Sequence, residues 1–301
     1  MEIIDEEVLK KIALAGKILA TVKREARGLI KPHRSYLEIA EKIESRIREL
    51  GGEPAFPCNL SWGSEAAHYS PLLDDTRTVP PEGIMKVDVG VHIDGYPVDA
   101  AFSVDLSGEN QLLIQAVEEA LERALEVVGP GVKVKIIGEV IEHTLKRYGV
   151  KPVRNLAGHT MSRYRLHAGL SIPNTSSGGS GSLGPGTIVA LEPFATTGIG
   201  YVVNGDAVTI FSFTKPYVKA KDGGRDDIFA NIYSQRSTLP FTERWYARLG
   251  DLASFRKGLA DLRKKKYLTE YPVLIEATGH QVSQAEETVV ILKNEAIVVT
   301  R

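Results

Sequence analysis

The chain has 301 residues, 43% of them hydrophobic, with a formal net charge of −1 and a single cysteine. Length and apolar content suffice for a sizeable core, arranged as one α/β domain with an insertion or as two domains. Balanced charge excludes wholesale binding to nucleic acid or an acidic membrane, and the lone Cys58 excludes an intrachain disulfide or a cysteine-based zinc cluster.

The first residues mix acids and bases into apolar positions, unlike a secretory signal. No apolar run approaches the roughly 18 to 20 residues needed to cross a bilayer, so a soluble, cytoplasmic protein is expected. Residues 5 to 27 place Val8, Ile12, Ala15, Ile18, Leu19 and Val22 at spacings of three and four, the stripe of an amphipathic helix. A second helix is predicted from Ser35 to Leu50, with Leu37, Ile39, Ile43 and Ile47 on its apolar side and Gly51-Gly52 as its stop. Residues 55 to 71, AFPCNLSWGSEAAHYSP, read as an edge strand or loop with His68 near its end.

Residues 84 to 106 form two β-branched stretches joined across Asp94-Gly95, a strong hairpin signal. With a two-residue loop, Asp88 and Asp99 project from the same face. A loop at Ile93-Asp94 sets them directly opposite, about 4.5 to 5.5 Å between Cβ atoms, whereas one at Asp94-Gly95 makes them diagonal neighbours, roughly 7 to 8 Å apart. Both registers suit a shared metal.

Helices are predicted from Asn110 to Val128 and from Lys135 to Tyr148, each stopped by glycine. Residues 153 to 161 and 164 to 174 then carry His159 and His167, ahead of a glycine- and serine-rich stretch. TIVALEPFATTG, residues 187 to 198, reads as one buried strand with Glu192 in its middle; a buried carboxylate needs a partner, and a metal is one. From 205 to 272 the pattern changes to short charged helices around TLPFTERWYARL and ASFRKGLADLRKKKYL, an insertion. Strand-forming sequence then returns, with Glu286 ahead of TVVIL and Glu287 as its alternative in any ligand role.

Asp88, Asp99, His159, Glu192 and Glu286 thus lie in apolar or glycine-rich settings, with enough ligand charge for two divalent cations and a water-derived nucleophile at neutral pH. The plainer readings are solvated hairpin residues for Asp88 and Asp99 and a satisfied core or loop histidine for His159, whereas Glu192 has few structural alternatives. The run Arg263-Lys264-Lys265-Lys266 reads as a solvated helix face, with contact to a few phosphates of ribosomal RNA as the alternative.

KVDVGVHIDGYPVD, NLAGHTMSRYRLHAG, ALEPFATTG and QAEETVV, in this order, resemble type 2 methionine aminopeptidases. The likeness covers nearly the whole chain, including AAHYSP and TLPFTERW. It implies an α/β pita-bread fold with pseudo-twofold halves, a catalytic domain of residues 1–204 and 273–301, and a small helical, winged-helix-like insertion at 205–272. It implies two divalent ions per chain, cobalt, manganese, iron or zinc, with Asp88 on one, His159 and Glu192 on the other, and Asp99 and Glu286 bridging.

By the same resemblance Glu192 carries a proton toward the leaving amine. His68 and His167 contact substrate, one near the leaving nitrogen and the other at the carbonyl or its oxyanion, and Phe56, Leu166 and Phe194 line the methionine pocket. The implied substrate is a peptide or nascent chain whose initiator methionine precedes a small residue, and the implied protein is a monomer with no membrane or DNA partner. Two other functions remain open: a proline-specific dipeptidase of the same fold, and a non-catalytic binding protein on this scaffold. The chain departs from the family at Gly63-Ser64 (commonly Asn-Glu), Ala100 (Thr) and Glu287 (His). These positions bear on the hydrogen bonds that orient metal ligands, and Glu287 is expected to add negative charge near the site.

Overall fold

The computed structural model describes residues 4–217, 228–246 and 251–301. Its plan is a unit used twice: a pair of helices laid over antiparallel strands. In the first half, α1 (Glu6–Arg27) and α2 (Tyr36–Glu49) precede the short strands β1 (Glu53–Pro54), β2 (Asn59–Trp62) and β3 (Glu65–Ala67), then the long hairpin of β4 (Ile84–Ile93) and β5 (Tyr96–Asp105). In the second, α3 (Gln111–Val127) and α4 (Val134–Arg147) precede β6 (Lys151–Pro152), β7 (Ala157–Met161), β8 (Ser171–Pro173), β9 (Thr187–Leu191) and β10 (Phe194–Thr196). The chain continues through β11 (Val202–Phe213), α5 (Ile228–Arg236), β12 (Phe241–Thr242), a 3-10 turn (Glu243–Trp245), α6 (Leu252–Lys264) and β13 (Leu268–Glu276). It ends in β14 (Val282–Gln284), β15 (Glu287–Ile291) and β16 (Ala296–Val298).

Local chemistry accounts for the helix ends. Asp5 caps α1 by accepting from the Val8 amide at 2.9 Å, with Glu6 and Glu7 in the first turn and Arg24 and Arg27 in the last, each sign matched to the helix dipole. The predicted apolar stripe of α1 is buried at Ile12, Ala15, Ile18, Leu19 and Val22, and it joins the buried face of α2 and the hairpin in one core. A second core gathers α3 and α4 on β9 and β15. Each helix pair thus removes one sheet face from water, the dominant favourable term in folding.

The hairpin turns at Asp94-Gly95, with φ of 51° and 83°, the left-handed pair of a type I′ turn. Of the two registers open from sequence this selects the diagonal one: Asp88 stands opposite Ala101 and Asp99 opposite Gly90. Gly90 is required there, because a Cβ would lie 2.3 Å from the Phe56 ring.

Three expectations need correction. TIVALEPFATTG is two strands in two sheets, interrupted at Glu192-Pro193, where proline has no N–H to give to a ladder. The boundaries 205 and 272 fall inside β11 and β13, which pair from Val202–Glu276 to Phe213–Leu268, with β13 also pairing β3. A register shift between Asn204 and Val208 breaks the strand periodicity there and gives the sequence the look of a domain edge. TLPFTERW is not helical: it forms β12 and the 3-10 turn, while α5, unpredicted, begins at Ile228. Part of the predicted helix around TLPFTERWYARL, residues 247–250, lies outside the described residues.

The insertion has its own aromatic core on β11 and is tied to the first half by Glu44 of α2. That carboxylate, 2% exposed, accepts from both terminal nitrogens of Arg244, from Trp245 Nε1 at 2.7 Å and from the Cys58 amide at 2.9 Å. Removing it strands a buried guanidinium. Glu44→Ala is therefore expected to lower unfolding free energy by about 3–5 kcal/mol in urea titration, whereas Arg46→Ala, which breaks the exposed pair with Glu25, should cost under about 1 kcal/mol.

Candidate metal centre

Backbone pairing alone brings the five candidate ligands together. Asp88 of β4 is opposite Ala101 of β5, and Ala101 exchanges both backbone hydrogen bonds with Glu286, at 3.0 and 3.3 Å. The register of β9 on β15 continues unchanged into β10 on β14, so Glu192 falls opposite Glu286 across their interruptions. Asp88, Ala101, Glu286 and Glu192 therefore form one rung. Two residues along, Gly90, Asp99, Thr288, Ala190 and His159 form the next: Gly90 pairs Asp99, Thr288 pairs Ala190, and Ala190 pairs His159. The Thr288 hydroxyl closes that rung, accepting from the Asp99 amide and donating to the Asp99 carbonyl, both at 2.8 Å. Facing residues in an antiparallel ladder share a face, so two neighbouring rungs supply all five donors, with the small side chains of Gly90, Ala101 and Ala190 leaving space between them.

Asp99, His159 and Glu286 offer donor atoms within 4.8 Å of one another. His159 Nε2 lies 3.6 Å from Asp99 Oδ2 and 3.7 Å from Glu192 Oε1. Burial is deep, with Asp99 3% and Glu286 1% exposed. It raises every carboxyl: Asp88 to about 7, and Asp99, Glu192 and Glu286 well above the usual carboxylate range, with mutual repulsion as a further cause for these last three. Burial holds His159 neutral, the state in which imidazole ligates metals. Asp88 Oδ1, Asp99 Oδ1 and Glu286 Oε1 are buried with no hydrogen-bond partner. Clustered, desolvated acceptors without donors are costly unless a cation joins them, and four carboxylates with one imidazole fit divalent metal ions.

A cavity of about 280 Å³ opens on Asp88, Asp99, His159 and Glu192, with Phe56, Leu166 and Phe194 in its wall. A larger cavity, about 730 Å³, lies between α2 and the insertion and holds none of the five ligands. His68 is partly exposed on the smaller cavity, in left-handed backbone at φ 70°, a strained state for a non-glycine residue. Its Nδ1 is 3.1 Å from the Pro272 carbonyl, which can only accept, so Nδ1 carries the proton and Nε2 is an acceptor. Burial lowers this imidazole to about 4, so it is neutral at physiological pH. His167 is exposed, its ring 4.3 Å from that of His159 between centroids.

Sequence reading missed several groups. Tyr271 stands between the two histidines, ring centroids 5.6 Å from His68 and 6.3 Å from His167. Gln284 donates to Glu286 Oε2 at 3.2 Å, and Ile210 and Leu274 complete the cavity wall from β11 and β13. Tyr271, Ile210 and Leu274 carried no motif signal, whereas Gln284 opens the QAEETVV stretch and was passed over beside its two glutamates. Glu287 does not share the ligand role of Glu286: it turns out of the site, accepting from Lys23 Nζ and the Thr300 hydroxyl at 2.5 Å each, because successive strand residues face opposite ways, while its negative charge still helps raise the Glu286 carboxyl. His92 also lies apart, its Nδ1 accepting from the Gly95 amide behind the turn.

A mixed α/β fold whose paired halves bury acidic and imidazole donors beside an apolar cavity defines a metal-dependent hydrolase class of architecture. The model of metallopeptidase family M24 matches residues 10–216. The methionine aminopeptidase of Saccharolobus solfataricus is 40% identical over 297 residues, covering 98% of this chain and 99% of that protein. In fold, the chain is similar to a thermophilic Arx1, with a TM-score of 0.85 at 19% identity over 98% of this chain and 91% of the other. It is also similar to a Thermotoga maritima methionine aminopeptidase, with a TM-score of 0.72 at 21% identity over 100% and 99%. The chain belongs to the M24 metallopeptidases, which use divalent metal. Among the described residues no helix is long and apolar enough to cross a membrane.

Raised carboxyls make metal and proton competitors. In the metal-free protein Asp88 keeps its proton until pH rises through about 7, so divalent-ion affinity should increase as pH climbs from 6 to 8, with protons released on binding. Calorimetry in buffers of different ionisation enthalpy reads that release directly; pH-independent affinity with no proton release would contradict it.

Proposed function

We propose that this enzyme removes N-terminal methionine from peptides and nascent chains when the next residue is small, with two divalent ions held by Asp88, Asp99, His159, Glu192 and Glu286. The observation that supports this reading is the pair of rungs that gathers five donors, four of them lining one cavity walled in part by apolar side chains. Asp88 would hold one ion, His159 and Glu192 the other, with Asp99 and Glu286 shared. The donor set suits manganese, iron, cobalt or zinc. When bound, the ions supply a water-derived nucleophile at neutral pH and polarise the scissile carbonyl.

The chain's own groups then divide the remaining work. Phe56, Leu166 and Phe194, each under 9% exposed, offer the methionine side chain an apolar lodging. His68, proton on Nδ1, presents Nε2 as acceptor for the N–H of the scissile amide. His167, on the exposed side, donates to the carbonyl oxygen as it gains charge. Glu192, partly accessible at the interruption between β9 and β10, takes the proton of the attacking water and passes it to the leaving amine.

Identity near 40% across the full chain to relatives named methionine aminopeptidase favours methionine over proline specificity. The full complement of donors speaks against a purely structural scaffold. We read the protein as a cytoplasmic monomer. The insertion, at 205–272 in the sequence reading, is assigned to the α5–α6 region carried on β11 and β13. For ribosome contact, Arg263 is engaged by Glu270 at 2.8 Å, which leaves Lys264, Lys265 and Lys266 exposed for a few phosphates at most.

Incubation of the purified protein with Met-Ala-Ser and each of the four metals should release methionine, chelation should stop it, and Met-Glu-Ser and Xaa-Pro peptides should be poor substrates. No methionine released with any metal defeats the proposal. Replacing His167 by alanine is expected to lower kcat by about 10²–10³-fold with little change in metal content, as measured by steady-state kinetics and elemental analysis.

A further inference from the structure

Behind the centre, the departure at Glu287 is built into a continuous hydrogen-bonded chain. Lys23 of α1 meets Glu287 Oε1 at 2.5 Å, and Arg301 Nε lies 3.5 Å from the same oxygen. The Thr300 hydroxyl donates to Glu287 Oε2 at 2.5 Å and accepts from the Thr288 amide at 2.9 Å. Thr288, fully buried, in turn grips the backbone N–H and carbonyl of Asp99 through its own hydroxyl. The Glu286 carbonyl, in the peptide that leads to Glu287, accepts from the Ala101 amide at 3.3 Å, and the Glu286 amide donates to the Ala101 carbonyl at 3.0 Å. One connected path therefore runs from the first helix through the last two residues to both shared carboxylates.

We propose that Glu287, clamped by Lys23, Thr300 and Arg301, is a positioning residue that presets Glu286 and Asp99 to receive divalent metal. The inference rests on the metal-holding reading of those two carboxylates. Glu287 is absent from the wall of the 280 Å³ cavity; it acts through the strand it anchors. Its position, 7% exposed and next in sequence to a ligand, would otherwise place a fifth anion behind four carboxylates. The Lys23 ammonium opposes that charge, and the ordering of outer hydrogen bonds is what sharpens metal affinity.

Titrating metal-free protein with manganese by calorimetry tests this. Glu287→Gln and Lys23→Met are each expected to weaken manganese binding about tenfold, and the double variant no further, since both break one pair. At saturating manganese the KM for Met-Ala-Ser should match wild type, and activity at limiting manganese should recover on adding metal, a response that general loss of folding does not give. Manganese affinity within about twofold of wild type in both single variants overturns the proposal. Should Glu287→Gln fail to fold, Lys23→Met, at a partly exposed position of α1, decides alone. Wild-type protein that binds no manganese removes the metal reading itself, a result distinct from wild-type binding with unaffected variants.

Discussion

Four carboxylates share one buried volume, and backbone pairing keeps them there. Asp88, Asp99, Glu192 and Glu286 are held together because the first two occupy ladder positions in the hairpin and the other two the short breaks between paired strands, all packed on two hydrophobic cores. Like charges in a low-dielectric interior repel strongly, so the metal-free site must hold protons or remain strained. A cation reverses the sign of the problem. What destabilises the empty site becomes affinity for metal, and the rest of the architecture keeps that arrangement in register.

The two halves contribute in complementary ways. The hairpin of the first half supplies Asp88 and Asp99; the second half and the final strands supply His159, Glu192 and Glu286. Neither half holds the set alone. The join between them is made by Ala101 with Glu286 and by Asp99 with Thr288, so the strongest constraint on the site runs through residues whose side chains are not ligands. Cavity-lining groups come from a third source: the strands leading to the insertion bring Ile210, Tyr271 and Leu274 to the cavity, and the Pro272 carbonyl sets the tautomer of His68. The cavity wall is thereby built in part from an element that sequence patterning marks only as an interruption.

Much was legible beforehand. The four helices of the repeated unit, the Asp94-Gly95 turn and the same-face relation of Asp88 and Asp99 follow from periodicity and turn chemistry, which are local. Errors arose where local signals conflict with distant pairing. The register shift after Asn204 disguised β11 as a boundary, and Glu192 seemed to sit within one strand because apolar residues flank it on both sides. The direction of Glu287 was similarly hidden, since its partners Lys23 and Thr300 lie far from it along the chain or across a second strand pair.

The sequence by itself determined the chemical inventory: which carboxylates and imidazoles sit among apolar neighbours, which glycines permit tight turns, and which helix faces are apolar. These depend on residue type and short spacing, where steric and solvation preferences act directly. Tertiary structure alone decided which donors meet, because their convergence depends on strand register among segments nearly two hundred positions apart in the chain. A shift of one residue in any of those pairings would turn a ligand to the opposite face, and no local property of the sequence encodes that choice.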